Sequence, residues 1–202
     1  TLILGIGQGY MQATPIQLAQ MTALLANKGH WIRPHLAKTI DGQPPVDPDP
    51  MPDIVLRDPA NWDRVDYGMQ QVVHGARGTA RKVGATSAYL IAGKSGTAQV
   101  VAIKQNERYD RSKLLERHRD HALFVGFAPA NNPQIAVAVM VENGESGSGV
   151  AAPVVKQVMD AWLLDEHGKL KAEYAEPVAP LAAAVAKPEP TAAEPEAPAL
   201  EQ

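Results

Sequence analysis

Between Gln134 and Glu142 the chain reads Ile-Ala-Val-Ala-Val-Met-Val, an apolar run in which neither side of the strand alternation is polar. A strand buried on one face alternates apolar with polar residues; a strand in a sheet covered on both faces reads as continuously apolar. Ile135, Val137, Val139 and Val141 therefore serve one layer, and Ala136, Ala138 and Met140 the other. Asn131-Asn132-Pro133 is a turn signal just before it, and His121-Ala122-Leu123-Phe124-Val125-Gly126-Phe127 reads as a second strand on the far side of that turn. An antiparallel hairpin is expected, and other parts of the chain must supply the layers above and below it.

Helices with clear punctuation supply candidates. Thr14 reads as an N-cap, with Pro15 at the first helical position and Gln17 completing a capping box, and the helix stops at Asn27-Lys28-Gly29. Asn61 is expected to cap a second helix, in which Trp62, Val65, Met69, Val72 and Val73 recur at helical spacing until Gly75 and Gly78 break it. Pro153 opens a third, whose Val155, Val158, Met159, Trp162 and Leu163 form a stripe that can lie across the sheet. The fold expected is an α/β layered (α+β) domain, an antiparallel sheet flanked by helices.

With 45% hydrophobic and 20% charged residues, the chain is ordinary for a globular domain with a buried core. That domain is placed at residues 1–164. Asp41-Gly42-Gln43-Pro44-Pro45 to Pro52 lies in a proline-rich surface loop over residues 41–60, because proline lacks the backbone donor that regular structure needs. Residues 165–202 are rich in Pro, Ala and Glu and are expected to be a disordered tail. The overall charge of −3 is uneven: the tail carries −5 and leaves the body at +2. A nearly neutral body argues against nucleic acid as a partner. The cluster Arg108, Arg111, Lys113, Arg117 and Arg119 reads as a solvated loop. No cysteine is present, so disulfide and thiolate chemistry are excluded. The start at Thr1-Leu2-Ile3-Leu4 has no initiator methionine, basic flank or long apolar run, so a targeting or anchoring segment is absent there rather than disproved.

The chemistry concentrates in Ala92-Gly93-Lys94-Ser95-Gly96-Thr97-Ala98-Gln99. Gly93-Lys94-Ser95 ends like a phosphate-binding loop, but the first glycine of that pattern would fall at Ala88, and Thr97-Ala98-Gln99-Val100-Val101 reads as extended rather than helical. On a strand, alternation puts Ser95 and Thr97 on one side and Lys94 and Gly96 on the other. Two hydroxyls can then share a substrate carboxylate, and Lys94 adds positive charge and can hydrogen-bond a serine from elsewhere. Gly96 keeps the strand free of a side chain where a peptide lies close. The Thr97 N–H can act as an oxyanion donor, a contribution of roughly 3 to 4 kcal/mol when preorganised in a dry site. Standing alone, the tetrapeptide would equally suit a small-residue strand with a surface lysine.

Two further temptations are weaker. His118, Asp120 and His121 cluster, with His30 and His74 elsewhere, but they lie at a charged loop end rather than in a converging ligand set, so no metal is expected. Glu142 and Glu145 flank Asn143-Gly144, which reads as a turn rather than a glycosidase carboxylate pair.

Lys94-Ser95-Gly96-Thr97 resembles the Lys-Thr/Ser-Gly box of penicillin-binding proteins and serine β-lactamases. Around it, Gly7-Gln8-Gly9 with Thr14 to Ala19, Gly78-Thr79-Ala80, His121 to Pro129, Glu142-Asn143-Gly144 and Ala151-Ala152-Pro153 resemble the end of a class B penicillin-binding transpeptidase, in order and spacing over roughly residues 1–164. Ser95 and Arg119-Asp120-His121 are closest to the elongation enzymes of rod-shaped Gram-negative bacteria.

The resemblance implies an incomplete penicillin-binding fold and a peptidoglycan D,D-transpeptidase acting through a serine acyl-enzyme, with no cofactor. Stem peptides ending in D-Ala-D-Ala would be its substrates and β-lactams its inhibitors. Carried over, Lys94 and Thr97 are catalytic, while Ser95, Gly96 and Thr97 bind substrate. No Ser-x-x-Lys occurs in the chain, so nucleophile and base are expected upstream and these residues alone should be inactive. The resemblance further implies a periplasmic domain held to the inner membrane by an upstream anchor, with a glycosyltransferase and rod-shape scaffold proteins as partners. A D-Ala-D-Ala carboxypeptidase or β-lactamase-like hydrolase, and a non-catalytic β-lactam sensor or scaffold, stay open as alternatives.

Overall fold

The computed structural model describes residues 12–43, 45, 50–101, 110, 112 and 114–175. The Gly7-Gln8-Gly9 match, Arg108, Arg111, Lys113 and the tail from 176 onward lie outside the described residues. The chain runs α1 (Pro15–Ala26), α2 (Ala60–His74), a short α3 (Arg81–Gly84), β1 (Ala92–Ala98), β2 (His121–Ala128), β3 (Ile135–Val141) and α4 (Ala152–Leu163).

The strands make one antiparallel sheet in the order β1-β2-β3. The hairpin expected from the apolar run is present, with Gly126 opposite Val137 and Phe124 opposite Val139. Residues facing each other across an antiparallel pair share a face, so the ladder assigns two cores. On one side Phe124, Ala122, Ala128 and Val137 pack with Val155, Met159 and Leu163 of α4 and with Val73, Val83, Tyr89 and Ile91. On the other, Phe127, Ala92 and Ala130 pack with Met69 and with Leu25 and Ala26 of α1. Phe124, Phe127, Met159 and Leu163 are almost fully buried, each stabilising the fold by roughly 1.5–3 kcal/mol. The covering of this second face stops short of β1's far end: Met140 is exposed and Leu123 and Val125 only half-buried among the described residues.

The α1 boundaries follow the local chemistry. Gln17 N donates to Thr14 Oγ1 at 3.3 Å and Thr14 N donates to Gln17 Oε1 at 2.8 Å, closing the capping box. Thr22 is buried, and its hydroxyl donates to Leu18 O at 2.7 Å, so no polar atom is stranded there. Asn61, by contrast, does not cap α2. The helix starts at Ala60, whose N–H donates to Asp58 Oδ1 at 3.0 Å, and Asn61 already lies in the first turn with its side-chain oxygen accepting from Arg64. Asp58 and Asn61 offer the same short acceptor, and Pro59 between them, with its fixed φ, favours the earlier start.

The apolar stripes are narrower than their periodicity. In α2 Met69 and Val73 are buried while Val65 is exposed; in α4 Val155, Met159 and Leu163 are buried while Val158 and Trp162 are exposed. A π-type turn over Gly147–Ala151 precedes α4. Residues 165–175, within the stretch read as tail, fold back: Leu164 and Leu170 form a bridge and Lys171 N donates to Leu163 O at 3.0 Å.

Candidate active site

Within the described residues β1 has a single strand neighbour, so it is an edge strand of the sheet. Ser95 stands opposite Phe124 and Thr97 opposite Ala122, which puts both hydroxyl residues on the α4 face of the sheet; Lys94 and Gly96, opposite Val125 and Leu123, take the other face. The alternation expected from the sequence is therefore realised. Lys94 and Thr97 are exposed and Ser95 and Gly96 half-buried. Lys94 Nζ donates to the Ser95 carbonyl at 2.6 Å, holding its charge against the strand edge.

Three surrounding segments fix this strand. Its approach is tied to α2, because Ile91 N donates to His74 Nε2 at 2.9 Å. Burial pushes His74 below the usual imidazole pKa, which keeps the ring neutral and able to accept. Its middle is pinned by Gly147: a Cβ there would stand 2.4 Å from Leu123 O and 2.6 Å from Gly96 O, so the turn into α4 rests directly on the backbone of β1 and β2.

Its far end is strapped by the segment 116–121 and the turn 142–145. Asn143 N donates to His121 Nδ1 at 3.0 Å and Glu145 N donates to Asp120 O at 2.9 Å. With its amide nitrogen turned toward the loop, the Asn143 side chain donates to Arg119 O and Glu116 O. Asn143 and Glu145 both adopt left-handed backbone, at φ 58° and 59°, as a tight turn requires. Glu142-Asn143-Gly144-Glu145 is thus a turn, and the Asn143 N–H engages the His121 Nδ1 lone pair.

A fourth residue reaches the strand from the loop after α2. Thr79 Oγ1 lies 3.3 Å from Ser95 Oγ, which places three hydroxyl residues, Thr79, Ser95 and Thr97, in one region of the sheet. Sequence reasoning singled out Gly78-Thr79-Ala80 as a motif without a role, because nothing local announces a bond between residues so far apart.

Chemically, an edge strand can be extended by one strand of an incoming peptide, with backbone bonds for affinity and flanking side chains for specificity. A lysine and hydroxyls at its rim suit a peptide that ends in a carboxylate.

The family described as the penicillin binding protein transpeptidase domain matches residues 1–160. Relatives include the peptidoglycan D,D-transpeptidase MrdA of Haemophilus influenzae, 46% identical over 81% of this chain and 26% of its own length, and that of Escherichia coli K12, 43% identical over 86% and 28%. Among solved structures, Pseudomonas aeruginosa PBP2 in complex with WCK 5153 is 90% identical with a TM-score of 0.77, covering 87% of this chain and 36% of that one. Helicobacter pylori PBP2 in its complex with MreC is 31% identical with a TM-score of 0.62, covering 80% and 27%. The chain spans only about a quarter of the length of these curated relatives.

Proposed function

This chain belongs to the penicillin-binding protein transpeptidase family, and from that premise we propose that it forms the substrate-docking wall of a peptidoglycan D,D-transpeptidase serving cell-wall elongation. The observation that carries the reading is that β1 is an edge strand among the described residues, with Lys94 exposed on one of its faces and Ser95 and Thr97 on the opposite face.

In the complete protein a serine from another part of the chain attacks the carbonyl between the two D-alanines of a stem peptide. The Ser–O–C(=O) bond forms, the C–N bond breaks, and D-Ala departs as the amine after receiving the serine's proton. An amine of a neighbouring stem peptide then attacks the ester, forming the cross-link and returning the serine hydroxyl. Ser95 and Thr97 hold the terminal carboxylate by donating to it, Gly96 leaves room for the peptide backbone, and the Thr97 N–H faces the oxyanion. Lys94 supplies positive charge next to the nucleophile's neighbours. A β-lactam, whose carboxylate and strained amide mimic the peptide terminus, acylates the same serine. No turnover is expected from the 202 residues alone, since they hold no Ser-x-x-Lys.

An inner-membrane, periplasm-facing location and a polytopic glycosyltransferase partner belong to this reading. Support for a rod-shape scaffold as partner comes from the Helicobacter pylori PBP2 relative, solved with MreC.

The test is covalent labelling of the full-length protein by a fluorescent penicillin. Lys94→Ala should slow adduct formation on the order of a hundredfold, the scale of losing one preorganised electrostatic group. Labelling of that variant at the wild-type rate would remove Lys94 from the site.

A further inference from the structure

We infer that Thr79 is a positioning residue for the carboxylate-binding hydroxyl of Ser95, and that the Gly78-Thr79-Ala80 triplet exists to hold it there; the inference rests on the proposed role of Ser95. The triplet sits in the loop between α2 and α3, and its two outer residues are fixed against the end of α2. Gly78 N donates to Gly75 O at 2.9 Å and Ala80 N donates to Val72 O at 3.0 Å. A Cβ on Gly78 would stand 2.5 Å from Val72 O and 2.6 Å from Gln71 O, so only glycine lets the loop come this close. Ala80 is buried in the core at 1% exposure. Thr79 between them is exposed, but its flanking residues hold its backbone in place and its β-branched side chain is stiff at χ1.

The polar partner of that side chain is Ser95 Oγ, at 3.3 Å and 16 residues away in sequence. Thr79 thus meets β1 on the same face as Ile91, whose N–H is held by His74 in the last turn of α2. Together the two contacts tie the Ile91 backbone and the Ser95 side chain to the end of α2 and the loop that leaves it.

A serine hydroxyl has one proton and two lone pairs. When Thr79 donates to Ser95 Oγ, the serine proton is directed onward to a carboxylate, in a chain whose successive bonds polarise one another. Without Thr79 the serine hydroxyl rotates among its other orientations and loses that preference. Thr79 does not touch the carboxylate in this arrangement; it decides where Ser95 points.

The experiment is a double-mutant cycle on the full-length protein, read as the second-order rate of acylation by a fluorescent penicillin. Thr79→Val, nearly isosteric but without the hydroxyl, should lower that rate roughly three- to tenfold, the size of one net hydrogen bond. Thr79→Ser should stay within about twofold of wild type, because it keeps the hydroxyl. In a Ser95→Ala background, Thr79→Val should have no further effect, since its target is gone. Losses that simply multiply in the double variant, or a Thr79→Ser protein as slow as Thr79→Val, would overturn the inference and assign Thr79 to packing. A wild-type rate for Thr79→Val beside a slow Ser95→Ala would overturn it while leaving the site intact. A wild-type rate for Ser95→Ala would instead refute the carboxylate role from which the inference starts.

Discussion

Gly147→Ala should damage both stability and acylation, whereas Gly96→Ala, a neighbour in contact with it, should spare stability and damage acylation alone. The difference comes from where each added methyl would point. At Gly147 the Cβ would meet Leu123 O at 2.4 Å, Gly96 O at 2.6 Å and Gly96 N at 3.0 Å. The first of these is about 1 Å short of ordinary van der Waals contact, and all three atoms are backbone, so no side chain can swing aside. Relief requires the turn into α4 to lift off the sheet, and α4 carries Val155, Met159 and Leu163 into the core beneath. Over-packing of this kind costs about 1–3 kcal/mol, and rigid backbone neighbours favour the upper end. That corresponds to a fall in melting midpoint on the order of 5 °C. At Gly96 the added Cβ would meet, among the described residues, only Leu123 Cβ, at 3.4 Å, which is ordinary contact; the fold accommodates it, but the methyl stands on the strand where the substrate backbone must lie. Differential scanning calorimetry and penicillin acylation on the full-length variants check both halves. A Gly147→Ala protein that melts and acylates like wild type, or a Gly96→Ala protein that melts several degrees lower, would refute this reasoning.

Two pH effects of opposite sign arise from His74 and Asp66, whose pKa values desolvation shifts. His74 has its pKa lowered by burial while Nε2 accepts from Ile91 N–H; its contribution is present above the ordinary imidazole value and is lost as pH falls through the folded one. The melting midpoint should therefore drop between about pH 7 and about pH 5, and His74→Gln, whose amide oxygen can accept the same bond, should flatten that slope; an unchanged slope would count against the assignment. Asp66 has its pKa raised, chiefly by burial, with Oδ1 buried and unbonded while Oδ2 accepts from Gln70 at 3.2 Å. A carboxyl with a raised pKa favours the fold at low pH and disfavours it as pH rises through the folded value, so Asp66→Asn should raise the midpoint at neutral pH and lose that gain in acid, and a lower midpoint at neutral pH would contradict it.

Local chemistry was legible residue by residue. Thr14, Pro15 and Gln17 closed their capping box as written, because all its partners lie within one helical turn. The hairpin was equally legible, since an apolar run with a turn before it has one economical pairing. Asn61 failed for the same reason that Thr14 succeeded. Two short acceptors three residues apart compete for one helix start, and Asp58 already bonds Ala60. Helical spacing likewise identified the α4 stripe but not its width, because periodicity records which residues align and not which ones meet a neighbour.

What the sequence alone determined was a two-sided antiparallel sheet with a lysine and two hydroxyls on alternate faces of one strand, and a family resemblance through motifs set in order. Only the tertiary structure decided that this strand is the sheet's edge among the described residues, that Gly147 rests on its backbone, that His121 and Asn143 strap its far end, and that Thr79 reaches Ser95. Alternation is a property of consecutive residues, so it is written in the chain. Edges, close backbone approaches and bonds between hydroxyls 16 residues apart arise when separate segments pack, and the geometry of packing belongs to the whole fold.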